Sequence, residues 1–117
     1  MAVSLGAPLP EKDFKAVIHG GLIEKVGIEF FEDAAAAQPL YKLRREDMAD
    51  WLGKIAEFCE SGDDSKRRCY AENALNEIFA QLDVRAFPYE GYYIDEIDNP
   101  EDYARVKEEI LPFDRAE

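Results

Sequence analysis

Carboxylate side chains are concentrated near the end of the chain, in the run YYIDEIDNPEDYARVKEEI. Five of them fall within eight positions: Asp95, Glu96, Asp98, Glu101 and Asp102. Mg²⁺ is commonly held by one or two carboxylates together with substrate phosphates, so one well-placed acid can supply half of a metal site. Asp98 is the best candidate, because it lies at the predicted C-terminal end of a strand, where open α/β sheets bind their ligands. Alternation along that strand would put Glu96 on the same face.

The same acids also fit the start of a helix, which requires no function. Asn99 is a favoured N-cap residue, Pro100 suits the first helical position, and Asp102 is spaced to fold back as in a capping box. A calcium loop fits poorly, because Pro100 stands where an EF-hand needs glycine. A metal site at Asp98 and a solvated helix cap are therefore both open interpretations of this segment.

The charge of the chain narrows the classes of partner. The 117 residues fit one domain, and their formal net charge is −12. Residues 89–117 hold ten acids and three bases, and so contribute −7 of that charge. Because such a surface repels phosphate backbones and anionic lipid, we expect neither nucleic acid nor a membrane as a partner. With no long apolar run and no signal-peptide pattern at the N-terminus, a cytoplasmic location is expected.

Nucleophilic and metal-ligating residues of other types are few. Cys59 and Cys69 lie ten positions apart without a CxxC pair, which predicts two reduced, partly buried thiols rather than a zinc site or a disulfide framework. His19 precedes Gly20-Gly21, and no Ser, Cys or Asp has the spacing of a recognisable nucleophile–base pair. We therefore expect His19 to lie at a hairpin turn.

The N-terminal half of the chain predicts extended structure. Residues 1–14 have the composition of a loose lead-in. FKAVIHGGLIEKVGIEFF then predicts a hairpin about its Gly-Gly pair, and PLYKL predicts a third extended segment. The alanines at 34–37 between them fit either a helical turn or a packed loop.

The C-terminal half predicts three helices and further strand. From Glu46 onward the apolar period is that of a helix, with one predicted face made of Met48, Trp51, Leu52, Ile55 and Phe58. A second helix is predicted with an apolar face made of Tyr70, Ala74, Leu75, Ile78, Phe79 and Leu82. DVRAFPYEGYYIDEI predicts two strands or one bent strand, because Pro88 and Gly91 interrupt it. The last helix is expected over residues 99–110, stopped by Pro112, with residues 112–117 as a tail.

The resulting order, β-β-β-α-α-β-β-α, predicts one domain over residues 15–111 with a mixed sheet and three main helices. As an isolated piece this is an α+β fold, and the same order also fits part of a larger α/β fold.

The run YYIDEIDNPEDYARVKE resembles the C-terminal motif of the sugar-phosphate and phosphocholine nucleotidyltransferases, which typically reads W/Y-x-E-I-D-x-x-E-D-hydrophobic. KAVIHGGLIEKVG is similar to the strand pair that follows the active-site half of that family, and QPLYKLRREDM to the next segment. YAENALNEIF and LDVRAFP are similar to the helix and strand before the terminal motif. These segments extend from about Lys15 to Glu109, and they imply the C-terminal half of a Rossmann-like nucleotidyltransferase domain.

The resemblance implies that Asp98 helps to bind Mg²⁺ beside the nucleotide phosphates, with Glu96, Tyr92 and Tyr93 as neighbours of the metal or substrate. The reaction implied is transfer of a nucleotidyl group from an NTP, with CTP as one candidate, to a phosphorylated sugar or a phosphocholine-like acceptor. The family's second metal-binding Asp and its Gly-rich nucleotide loop have no counterpart in this sequence. We therefore expect a portion that is inactive alone and needs a missing nucleotide-binding half or a partner chain.

A different class of function also fits the sequence. The chain would then be a non-catalytic, acidic α+β module that binds a partner or forms a homodimer through an exposed sheet edge.

Overall fold

Four short strands precede the first helix, and one strand precedes the last. A computed structural model describes residues 1–114 and, within them, five strands, three α-helices and two 3₁₀ helices. The strands are β1 (Ala2–Ser4), β2 (Lys15–His19), β3 (Leu22–Gly27), β4 (Ala34–Ala37) and β5 (Phe87–Pro88). The helices are α1 (Arg45–Glu60), α2 (Asp64–Arg67) and α3 (Pro100–Asp114), and the 3₁₀ helices are Ala71–Glu77 and Phe79–Gln81. The chain is therefore a mixed α+β domain.

All five strands form one mixed sheet in the order β3-β2-β4-β1-β5. Only the β1–β5 pair is parallel, and the other three pairs are antiparallel. The predicted hairpin is confirmed: β2 ends at His19, and Gly20 and Gly21 adopt φ angles of 57° and 80°. Glycine suits this turn because positive φ angles strain residues that carry a Cβ atom.

The prediction of a loose lead-in over residues 1–14 is wrong for its first residues. Strand β1 lies between β4 and β5 near the middle of the sheet, and its three residues are all buried. Val3 is fully buried, and its neighbours along the strand are Ala2 and Ser4. A three-residue strand is too short to show an apolar period, so the Gly and Pro that follow it dominate the local pattern.

The alanine run is a strand, so neither of its two interpretations was right. As β4 it pairs with β1 on one side and β2 on the other, and Ala35, Ala36 and Ala37 are buried. Pairing on both edges outweighs the helical preference of alanine. The predicted extended segment PLYKL belongs to no strand, and its Tyr41 ring instead packs edge-on against Trp51 with ring centroids 5.2 Å apart.

The first predicted helix is confirmed as α1, although its buried face is rotated from the predicted one. Trp51 and Phe58 are buried against the core, as the period indicates. Met48 and Leu52, predicted on the same face, are 37% and 58% exposed. Asp47 is buried in their place, and its carboxylate receives two hydrogen bonds from the Arg44 guanidinium, at 2.8 and 2.9 Å.

The second predicted helix is not continuous. Its apolar residues Ala74, Leu75, Ile78 and Phe79 are buried as expected, but they lie on the two 3₁₀ helices. Asparagine side chains bond to backbone there, which favours turns over a regular helix. Asn73 Oδ1 accepts from the Tyr70 backbone N–H at 3.1 Å.

The edge strands β3 and β5 each have few backbone groups free to pair with a further strand. On β3, the Asn76 side chain accepts from the Val26 N–H at 2.8 Å and donates to the Val26 carbonyl at 2.9 Å, and the Ile23 N–H donates to Val84. On β5, Pro88 lacks a backbone N–H and cannot donate a hydrogen bond to a further strand. An additional strand would therefore find little free backbone at β3 and only a short partner at β5.

Of the two strands or one bent strand predicted within DVRAFPYEGYYIDEI, only β5 forms. After β5 the chain turns at Gly91, which has a φ angle of 93°, and residues 93–98 belong to no regular element. Helix α3 continues to Asp114, so Pro112 lies inside the helix rather than ending it. Residues 115–117 of the predicted tail lie outside the described part. Among residues 1–114, no helix combines the length and apolar character needed to cross a lipid bilayer.

Candidate functional site

A cleft of about 470 Å³ separates the acidic segment from the sheet and the 3₁₀ helices. It is lined by Met1, Lys12, Asp13, Phe14, Ala37, Gln38, Pro39, Tyr41, Tyr70, Glu72, Asp95, Glu96, Asp98, Asp102 and Arg105. Six of these side chains are acidic and two are basic. The cleft therefore attracts cations, and it accepts an anion such as phosphate only with a counter-charge.

The predicted cap holds the acidic wall in place. Asn99 Oδ1 accepts from the Asp102 N–H at 2.8 Å, and the Asn99 amide donates to Asp102 Oδ2 at 2.7 Å. The same Asp102 carboxylate accepts from the Asp98 N–H at 3.2 Å. The capping interpretation is thus confirmed for Asn99 and Asp102, and it leaves the Asp98 side chain unused.

Arg105 stands among three acids and occupies two carboxylates of this wall. Its guanidinium pairs with Asp95, with Asp102 at 3.5 Å and with Glu109 at 3.4 Å. The hydrogen bond from Arg105 holds the pKa of Asp95 below its usual value, and the pKa of Arg105 is raised by the same pair. Asp95 and Asp102 therefore act mainly in ordering the segment.

Tyr93 links the irregular segment, residues 93–98, to α3. Its hydroxyl oxygen lies 2.9 Å from Glu109 Oε2 and 3.1 Å from Asp95 Oδ2, and these two carboxylates share its single proton as alternative acceptors. Burial and these two acceptors raise the pKa of Tyr93 to about 12, so the hydroxyl keeps its proton near neutral pH. Neither Tyr93 nor Tyr92 is among the residues that line the cleft, and Tyr92 is 71% exposed.

The carboxylates of Asp13, Glu96 and Asp98 remain available among the acids that line the cleft. Glu96 and Asp98 are the two that belong to the acidic segment. Both line the cleft, although they do so from an irregular segment rather than from the predicted strand. Within residues 1–114, neither carboxylate accepts a hydrogen bond or joins an ion pair. No three metal-ligating side chains converge into a complete cage in the described part of the chain. Two free carboxylates on a cleft wall do suit Mg²⁺ whose other ligands are phosphates and water.

The opposite wall is aromatic, and the sequence interpretation did not find it. The Tyr41 hydroxyl donates to Glu72 at 2.9 Å, and burial, with Glu72 beside it, raises the pKa of Tyr41. Phe14 and Tyr70 meet edge to face, with ring centroids 5.1 Å apart. These residues come from separate segments with no shared motif, so no spacing in the sequence could have grouped them.

The cleft can thus bring carboxylates and aromatic rings to one ligand. A scan against protein-family models, a search of curated proteins and a search of solved structures each give no match to this chain.

Proposed function

We propose that this chain is the metal- and acceptor-binding portion of a nucleotidyltransferase. The reaction would transfer a nucleotidyl group from an NTP, such as CTP, to a phosphorylated sugar or a phosphocholine-like acceptor. The motif YYIDEIDNPEDYARVKE suggests the class. The observation that carries the proposal is the pair of free carboxylates, Glu96 and Asp98, on the part of the cleft wall where Arg105 engages Asp95 and Asp102.

Asp98 and Glu96 would hold Mg²⁺, and the ion would offset the charge repulsion between this acidic cleft and a bound phosphate. Arg105 keeps Asp95 and Asp102 engaged, so these carboxylates do not compete for the ion. The aromatic wall, with Tyr41 and Tyr70, would contact the organic part of the acceptor. A nucleotide-binding half or partner chain would have to supply the remaining groups, so we expect no turnover from this chain alone.

The first prediction concerns Mg²⁺. In a titration of the ¹⁵N-labelled protein with MgCl₂, we expect amide shifts confined to residues 95–102 and weak affinity, because only two carboxylates are offered. Asp98→Asn should weaken binding roughly tenfold, which corresponds to ~1.4 kcal/mol. Asp50→Asn is the matched control, because Asp50 is an exposed acid on α1. Equal affinities of the two variants would remove Asp98 from the site.

The second prediction is that binding of the acceptor requires Mg²⁺. Saturation-transfer NMR with phosphocholine or a sugar phosphate should detect contact with the protein when Mg²⁺ is present and much less when it is chelated. Acceptor binding that is unaffected by chelation would contradict the proposed role of the metal. Binding of neither acceptor in either condition would contradict the proposed substrate class.

One observation favours a second function, that of a self-associating module. Every residue of α3 from 100 to 112 is exposed or half-buried, and Tyr103, Ile110 and Leu111 expose 58%, 39% and 48% of their surface. We expect this module, if it self-associates, to do so through α3. Sedimentation velocity over a range of concentrations would show a dimer that Tyr103→Ser abolishes and Tyr92→Ser, at an exposed tyrosine outside α3, does not. A monomer at all concentrations would exclude this function.

A further inference from the structure

Both cysteines of the chain line one small groove beside α1 and α2. This groove, which we call the thiol groove, has a volume of about 180 Å³ and is lined by Ile55, Phe58, Cys59, Lys66, Arg67 and Cys69 with neighbouring residues. Cys59 comes from the last turn of α1, and Cys69 follows α2. The intervening turn and α2 bring the two thiols to the same surface, which their separation in sequence does not reveal.

The two thiols differ in access. Cys59 is exposed, whereas Cys69 is half-buried and its thiol donates to the Lys66 carbonyl at 3.1 Å. A free, accessible thiol is the one that meets a reagent first, and a second thiol nearby can then resolve the adduct. Cys59 therefore has the position of the attacking thiol, and Cys69 that of the resolving thiol.

Positive charge lines the thiol groove, in a chain whose net charge is −12. Lys66 is largely engaged, since its ammonium contacts Glu77 at 2.6 Å and lies 4.8 Å from the centre of the Phe58 ring. Arg67 makes only a loose contact with Asp64, at 3.6 Å, and its side chain is 55% exposed. Arg67 is thus able to attract an anionic reagent to this groove.

The backbone between the thiols can adjust. Helix α2 has four residues and none of them is buried, so its movement would break mainly the Lys66 contacts with Phe58 and Glu77 and the packing of Cys69 against the core. Disulfide formation requires Cα atoms within about 7 Å and suitably directed Cβ atoms, and any adjustment towards that geometry would fall on α2.

We propose that the thiol groove is a redox modification site for anionic low-molecular-weight disulfides. The Cys59 thiolate attacks one sulfur of the reagent, the reagent S–S bond breaks, and one reagent thiolate leaves. A mixed disulfide now occupies Cys59. The Cys69 thiolate then attacks the Cys59 sulfur and expels the second reagent thiolate. The two protein thiols are oxidised to one disulfide, the reagent is reduced to two thiols, and the two protons pass to the leaving thiolates.

The test uses the full chain and two reagents of opposite charge, oxidised glutathione and cystamine, at low ionic strength. Intact mass should fall by two hydrogens as the internal disulfide forms, without protein dimers. Cys69→Ser should instead retain the glutathione adduct on Cys59. Adducts on both cysteines of the wild-type chain without an internal disulfide would overturn the proposal, and this readout does not depend on any variant folding.

The charge argument has its own control. Oxidised glutathione should react several-fold faster than cystamine, and Arg67→Gln should reduce that preference. Arg85→Gln removes the same charge from an arginine whose side chain is 75% exposed and which does not line the groove, and it should leave the preference unchanged. Urea unfolds the chain and removes the groove. The ratio of the glutathione rate to the cystamine rate should then equal the ratio measured with a small free thiol. Equal rates in the folded chain would overturn the proposed specificity for anions.

Discussion

Arg105 shows how one basic residue organises a strongly acidic segment. Its contacts with Asp102 and Glu109 follow helical spacing, three and four residues away, and could be anticipated from the sequence. Its contact with Asp95 joins α3 to the irregular segment, residues 93–98, which precedes the helix. Single exposed ion pairs contribute little to stability, so the network matters mainly because it leaves Glu96 and Asp98 as the free acids of the segment that line the cleft.

The only histidine of the chain provides a prediction about pH. His19 Nδ1 lies 2.8 Å from Glu24 Oε2, and Nε2 lies 3.5 Å from Asp33 Oδ2. The hydrogen bond with Glu24, then that with Asp33, raises the pKa of His19 above its usual 6.5. A raised pKa in the folded state stabilises the protein fully below the unfolded pKa, and this contribution is lost as pH rises through the folded pKa.

We therefore expect His19 to raise the urea midpoint of unfolding at pH 5.5 relative to pH 8. The Met1 amino group acts in the opposite direction in this window, because burial lowers its pKa, so the difference between the wild type and a His19-cluster variant isolates the histidine. The ring C–H signals of His19, followed by NMR, give the pKa directly. Glu24→Gln should move the pKa back towards 6.5 and flatten the pH dependence, whereas Glu11→Gln, in the N-terminal loop, should do neither. A wild-type pKa at or below 6.5 would contradict the cluster's role.

At the scale of elements, the stability of α3 depends on its N-terminal cap and on its contacts with the irregular segment, residues 93–98. None of its residues from 100 to 112 is buried, so packing contributes little to its stability. A helix of this kind should respond strongly to its terminal hydrogen bonds.

The next prediction separates the cap from the metal-site candidate. Asn99→Ala removes the acceptor for the Asp102 N–H and should cost α3 about 1 kcal/mol, seen as faster amide exchange and helical chemical shifts that move towards coil values. Asp98→Asn should leave these helical signals unchanged, because the Asp98 contact to the cap comes from its backbone. Loss of helical signal in both variants would mean that the Asp98 side chain is structural.

Local rules predicted the elements whose stabilising contacts are local. The Gly20-Gly21 turn, the existence of helix α1 and the Asn99 cap are all set by residues within a few positions of one another. The alanine strand and the broken second helix depend instead on distant partners, such as β1 for Ala36 and the Val26 backbone for Asn76. Propensity yields to such tertiary contacts, which a local pattern does not contain.

The candidate site also combines residues that are neighbours in sequence with residues that only the fold brings together. Glu96 and Asp98 were identified because they share a motif, whereas Tyr41, Tyr70 and Glu72 reach the cleft from other parts of the chain. Within DVRAFPYEGYYIDEI only Phe87–Pro88 pairs as a strand, and the residues after the turn at Gly91 form no strand pairing. The acids nevertheless line a cleft, since the cap and Arg105 hold them there.

Strand β1 carries the prediction that tests the whole fold. Val3 is fully buried between neighbouring strands, and Val3→Ala should lower the free energy of unfolding by ~2 kcal/mol through lost burial of two methyl groups and the cavity they leave. Leu5→Ala, two residues along at a side chain that is 62% exposed, should stay within about 0.5 kcal/mol of the wild type. Urea unfolding of the three proteins measures both values. If Val3→Ala behaved like Leu5→Ala, residues 1–14 would be the loose lead-in that their composition predicts, and the sheet would have to be stable without the strand that joins β4 to β5.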